Sequence, residues 1–169
     1  MESNVMPTLE FKKLQRTMMV NRVVQTLLIA LLICLAIYFQ SGFAQQGKPE
    51  QFFKSVLVAV VVQLLLIYPV YKLAWRDAGI EIDSSAVGIT PEQTAALRKK
   101  RLIGELWKVC GVAFYTVFVL MVPDVKTAAG ARPVLSATIF SFLLNCLMYF
   151  QCFNFACKKR IKSVTQEKP

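Results

Sequence analysis

Apolar positions in this chain fall into four long runs separated by short polar stretches. No charged residue occurs between Val23 and Gly47, and residues 23–43 are almost wholly apolar. A helix crossing a bilayer needs about 20 such residues. The second run, 52–71, is interrupted only by Lys54 near its start. The third uncharged stretch, Val109–Pro123, is too short alone. Extending it back past Lys108 and Trp107 gives a span at 104–123, with the Lys108 ammonium expected to snorkel to the headgroups. Val134 to Cys157 again carries no charge and is long enough to span with some tilt. The pattern predicts an all-α, integral-membrane, four-helix transmembrane bundle, read as a single domain over residues 1–169.

Local signals place several helix ends. Thr90-Pro91-Glu92-Gln93 has the form of a capping box with proline at the first helical position. Pro49 and Glu50 suit the first turn of the second helix, where a missing N–H is harmless and a carboxylate meets the positive dipole end. Pro7-Thr8 before Leu9, Phe11 and Leu14 reads as an amphipathic lead-in to the first span. Pro69 is expected to kink the second helix, and Gly79 to stop it. Asp77 to Gly88 then reads as a short solvated loop within the polar connection 72–103. Ile80-Glu81-Ile82-Asp83 alternates like a scrap of strand. Asp77, Glu81 and Asp83 lack the spacing of a Ca²⁺ loop.

Charge decides the orientation. The chain has 20 Lys and Arg, 10 Asp and Glu and no His, for a net charge of +10. Lys12, Lys13, Arg16 and Arg22 precede the first span, the connection 72–103 carries six further cations, and five follow the fourth span. Only Lys48, Lys54, Lys126 and Arg132 fall on the other side. The positive-inside rule therefore predicts an up-down-up-down path with both termini and the loop 72–103 in the cytoplasm, most naturally of a bacterial inner membrane. Gly42-Phe43-Ala44 resembles a signal-peptidase site, but the apolar run before it exceeds the usual 7–15 residues, so the first span is expected to be retained. Arg98, Lys99, Lys100 and Arg101, with Lys158, Lys159 and Arg160, read as anchors for anionic headgroups. Successive cations surround a helix instead of lining one face, so nucleic acid is not an expected partner. Phe43, Phe52 and Phe53 are expected at one interface, and Tyr68, Tyr71, Trp75 and Trp107 at the other.

Chemistry is scarce. Fifty-six per cent of residues are hydrophobic, 18% are charged, and the mean hydropathy is +0.50. Five cysteines (Cys34, Cys110, Cys146, Cys152, Cys157) lie in or beside the apolar runs without a CxxC pair, as packing residues do. Without histidine there is no His-ligated haem or His-containing metal site, and the P-loop, HExxH, GxSxG and dinucleotide fingerprints are missing. Disulfide-generating quinone reductases share the four-span plan, but they need cysteine pairs in outward loops, and residues 44–51 and 124–132 contain none. Small four-helix multidrug exporters need a membrane-embedded glutamate, which mid-membrane positions lack here. Glu105 is expected to pair at the boundary with Arg101 or Lys108, and Asp124 lies beside Lys126 at the opposite one.

What the spans do carry is small and neutral polar residues at helical spacing. Thr26, Ala30, Cys34 and Ser41 mark helix one, and Ser55, Ala59 and Gln63 mark helix two. Gly104, Gly111 and Tyr115 mark helix three, and Ala137, Ser141, Asn145 and Tyr149 mark helix four. Such stripes glue membrane helices together. Gln25, Gln63, Gly111, Ser141, Asn145 and Tyr149 are accordingly the candidate packing or solute-lining residues. The reading is a non-catalytic accessory or scaffold subunit of a larger membrane complex, with anionic lipids and other membrane subunits or itself as partners, and no cofactor. The alternative is a transporter or channel for a small neutral or hydrophobic solute.

Overall fold

The computed structural model describes residues 11–86, 88–121 and 131–166, the side chains of 11–13 and 164–166 excepted. It is all-α: α1 (Phe11–Gln45), α2 (Glu50–Asp83), α3 (Pro91–Met121) and α4 (Ala131–Gln166). All four are long and apolar enough to cross a membrane. The Pro7-Thr8 lead-in and the Asp124–Lys126 pair lie outside the described residues.

Two helix ends show why the chain turns where it does. After α1, Gly47 takes φ +68, which its missing Cβ permits. Lys48 N–H then donates to Phe43 C=O at 3.0 Å and Gly47 N–H to Ala44 C=O at 2.9 Å, the two bonds of a Schellman cap. Pro49, which cannot continue a helix, follows and opens α2. At α3 the capping box forms: Gln93 N–H donates to Thr90 Oγ1 at 3.3 Å and Thr90 N–H to Gln93 Oε1 at 3.2 Å. Pro91 is the first helical residue.

The connection after the second span differs from expectation. α2 passes through both Pro69 and Gly79 and ends only at Asp83. Asp77, Glu81 and Asp83 are therefore helical, and the strand-like reading of 80–83 is overturned. Gly79 lies within the helix and makes room for α4 instead of ending it: a Cβ there would lie 2.5 Å from Arg160 Nη1. Close approaches of the same kind occur at Gly42, whose carbonyl accepts from Arg132 Nη1 at 2.6 Å, and at Gly104, which lies under Arg76.

Helix α4 is the centre of the bundle, with 33% of its apolar window buried against 6% in each of the others. It lies along α2, beginning beside its beginning. One apolar cluster joins Phe39 and Phe43 of α1 to Ala59 of α2 and Phe140 of α4. The other joins Leu14 of α1 to Ala74, Ala78 and Ile82 of α2 and to Phe153, Ala156 and Cys157 of α4. Phe43 is fully buried, so it belongs to the core and not to an interfacial belt. Phe53, Tyr68 and Trp107 are exposed. All five cysteines are free; Cys157 is a core residue, whereas Cys34 and Cys110 are exposed.

Candidate functional site

The stripes on α2 and α4 face each other. Ser55, Ala59, Ser141 and Asn145 are buried, and Gln63 Nε2 reaches Met148 Sδ at 4.0 Å. The α1 stripe points outward instead: Thr26, Ala30, Cys34 and Ser41 are all exposed, and the hydroxyls of Thr26 and Ser41 bond to carbonyls of their own helix. On α3 the close crossing is at Gly104, which is buried. Gly111 is exposed, and a Cβ there would meet nothing within 4 Å, so its expected packing role is withdrawn.

Three of the candidate polar residues are tied up locally. Asn145 donates from Nδ2 to the Ser141 carbonyl at 2.9 Å, one turn back on its own helix. Ser141 Oγ shares a 3.1 Å hydrogen bond with Tyr115 Oη. Tyr149 donates its hydroxyl to Asp77 Oδ2 at 2.7 Å. Gln25 Nε2 and Asn145 Oδ1 are buried with no hydrogen-bond partner.

The Tyr149–Asp77 contact leads to the richest polar site among the described residues. Because α2 continues to Asp83, Asp77 and Glu81 stand one turn apart on a face turned to α3 and α4. Lys108, the one cation inside the third apolar run, reaches Asp77 Oδ2 at 3.0 Å and Glu105 Oε1 at 2.7 Å, and lies 5.3 Å from the Tyr149 ring centroid. It meets carboxylates within the protein, and its side chain stays 30% exposed. Arg76 holds the other oxygen of Asp77 at 3.3 Å. Arg101 pairs with Glu81 at 2.5 Å, not with Glu105. Side-chain exposure is only 10% for Asp77 and 16% for Glu81, against 58% for Glu105. For carboxylates as little exposed as Asp77 and Glu81 a lone charge is costly, and a network that satisfies each of them offsets the cost.

A cleft of about 360 Å³ opens over this network, lined by all four helices: Thr17 and Asn21 of α1, Asp77, Ile80 and Glu81 of α2, Arg101, Glu105 and Lys108 of α3, Tyr149, Phe150 and Phe153 of α4. Its charged groups face one another across helix boundaries, so its chemistry is that of a clasp joining α2, α3 and α4. Among the described residues no group of three or more His, Cys, Asp or Glu is placed to hold a metal ion. Sequence reasoning missed Asp77 and Glu81 by assigning them to a loop. The available signal was Lys108, a cation in an apolar run that requires a carboxylate at its own depth.

The predicted anchors divide. Arg98, Lys99 and Lys100 are exposed, while Arg101 is engaged by Glu81. Lys158 is exposed; Lys159 and Arg160 lie 5.5 and 5.4 Å from the Trp75 ring centroid, within cation–π range. Comparison of the chain with family models, curated proteins and solved structures finds no match.

Proposed function

We propose that this chain is a non-catalytic integral-membrane subunit, an accessory or scaffold part of a larger assembly in a bacterial inner membrane. It threads up-down-up-down with both termini in the cytoplasm. The observation that carries the reading is that the charged and hydroxyl side chains inside the bundle are committed to one another, through Tyr149, Asp77, Lys108 and Glu105 and through Tyr115 and Ser141. Three of the four helices also keep most of their apolar surface available to lipid or to neighbouring subunits. Mild detergent extraction should yield a particle distinctly larger than the 19.1 kDa chain plus its detergent belt, with a defined set of co-purifying membrane proteins or further copies. A monomer without partners in several mild detergents would overturn it.

The orientation rests on the distribution of Lys and Arg; the antiparallel course of α1 against α4 is supported by clusters that join Leu14 with Cys157 and Phe39 with Phe140. With the native cysteines replaced, a cysteine at position 46 should react with an impermeant maleimide on intact cells, and one at 84 only after permeabilisation. Labelling at 84 from outside would reverse the topology.

The second reading, passage of a small neutral or hydrophobic solute, is supported by the unpartnered buried atoms Gln25 Nε2 and Asn145 Oδ1. The clefts of about 490, 410 and 360 Å³, however, are lined by none of Gln25, Gln63 and Asn145. If the amides serve only in packing, the double variant Gln63→Met/Asn145→Leu loses one interhelical contact, Gln63 with Met148, of a kind worth about 0.6 kcal/mol on average, and one bond within α4. It should then insert, assemble and support the host as the parent does. A variant that assembles normally yet reproduces the deletion phenotype would favour the solute pathway.

A further inference from the structure

Ion pairs fasten α3 to α2 near the end where α2 finishes, through Arg101 with Glu81 and Lys108 with Asp77. Farther along, Tyr115 ties α3 to Ser141 of α4. Towards the end where α2 and α4 begin, the three helices leave between them a cleft of about 410 Å³, walled by Val58 and Val62 of α2, Phe114 and Phe118 of α3 and Ala137 of α4. The hydroxyls on its wall are already bonded: Ser55 to Phe52 C=O at 2.7 Å, Thr138 to Val134 C=O at 2.8 Å, and Tyr115 with Ser141. The cleft therefore offers a ligand apolar contact and little else. Its one charge is Lys54, in the second turn of α2, exposed and without a carboxylate partner among the described residues. From Lys54 to Val62 the wall runs eight residues, about 12 Å at the helical rise, from the start of the span towards its middle.

We propose that this cleft holds one acyl chain of an anionic phospholipid, with the lipid phosphate on Lys54. The shape is elongated and open along one side, the lining makes no hydrogen-bonding demand, and the cation stands at the end where a headgroup lies when the chain points into the bilayer. A polar solute would be desolvated there without compensation. The inference rests on the membrane reading above. Labelling at positions 46 and 84 tests that reading in cells, so a wrong topology and an empty cleft fail in different experiments.

The test uses the full chain, stripped of lipid in a neutral detergent and incubated with dioleoyl phosphatidylglycerol or dioleoyl phosphatidylcholine, with native mass spectrometry reading bound lipid. The first phosphatidylglycerol should be retained about five-fold better than phosphatidylcholine, the size of effect one lysine has near an anionic group. Lys54→Gln should abolish that preference and Lys54→Arg should keep it. Val58→Trp, at a half-exposed position, should fold normally and lose retention of that first lipid of either kind. Equal retention of the two lipids by the parent chain would overturn the proposal, as would an unchanged preference in Lys54→Gln or an unchanged first lipid in Val58→Trp. A second protein copy or an isoprenoid quinone that lipid cannot displace would assign the cleft to that occupant instead.

Discussion

Asp77→Leu should destabilise the bundle by about 2 kcal/mol, whereas Asp77→Leu combined with Lys108→Met should recover most of the loss. The single change removes a carboxylate that accepts from Lys108, Tyr149 and Arg76 together. It strands the Lys108 ammonium and leaves the Tyr149 hydroxyl without its acceptor. Breaking a fully buried pair costs about 3–5 kcal/mol. The expectation here is lower because Lys108 is 30% exposed and keeps Glu105. Removing both charges leaves, among the ions, only Arg76 and Glu105 without these partners, and both are exposed to solvent; apolar side chains of similar volume commonly replace such a pair at little cost. Unfolding in mixed micelles, followed by helical circular dichroism, measures both variants. A single variant as stable as the parent would show that the clasp carries no energy. A double variant no better than the single would show that packing around Asp77 matters more than its charge.

This network explains where reading the sequence stops. The four runs, the Thr90 capping box and the start of α2 were legible because each depends on residues within a few positions of one another. The end of α2 was not. Gly79 and the polar stretch after it have the composition of a helix stop, and what carries the helix on to Asp83 lies elsewhere: Lys108 and Arg101 on α3, Tyr149 and Arg160 on α4. A carboxylate whose partners are 20 or more residues away looks in one dimension like a loop carboxylate. The same applies to faces. Spacing identified small-residue stripes on all four helices, but only tertiary packing selects which stripe is used. Ser55 and Ala59 were placed against α4, while Thr26, Ala30 and Cys34 were left facing outward. Lys54 was legible only as a charge at the edge of a span. The apolar cleft beside it depends on the position of α3 relative to α2 and α4, which no local pattern records.

Gly104→Leu should cost about 2–3 kcal/mol, the upper part of the usual range for overpacking, while Gly111→Leu should be neutral or slightly stabilising. The two glycines lie two turns apart on one stripe of α3, and spacing alone does not rank them. At Gly104 a Cβ would stand 2.5 Å from Arg76 Nη2 and 3.0 Å from Asp77 Oδ1. The guanidinium is the far end of a flexible side chain, so alanine is accommodated by a small shift of Arg76 and should cost under about 1 kcal/mol. Leucine cannot be accommodated that way. Its branched end would occupy the volume of the Arg76–Asp77 pair and push α3 off α2, where Lys108 and Arg101 make their ion pairs. At Gly111 the same side chain enters open space on an exposed face, and replacing glycine by leucine removes a helix-propensity penalty approaching 1 kcal/mol. Both variants are measured on the isolated chain by the same micelle titration, with Gly104→Ala as the reference for a minimal increase in size. Equal losses at 104 and 111 would mean that α3 is rotated from the orientation described here. A loss at 111 alone would place its crossing with α2 two turns further along.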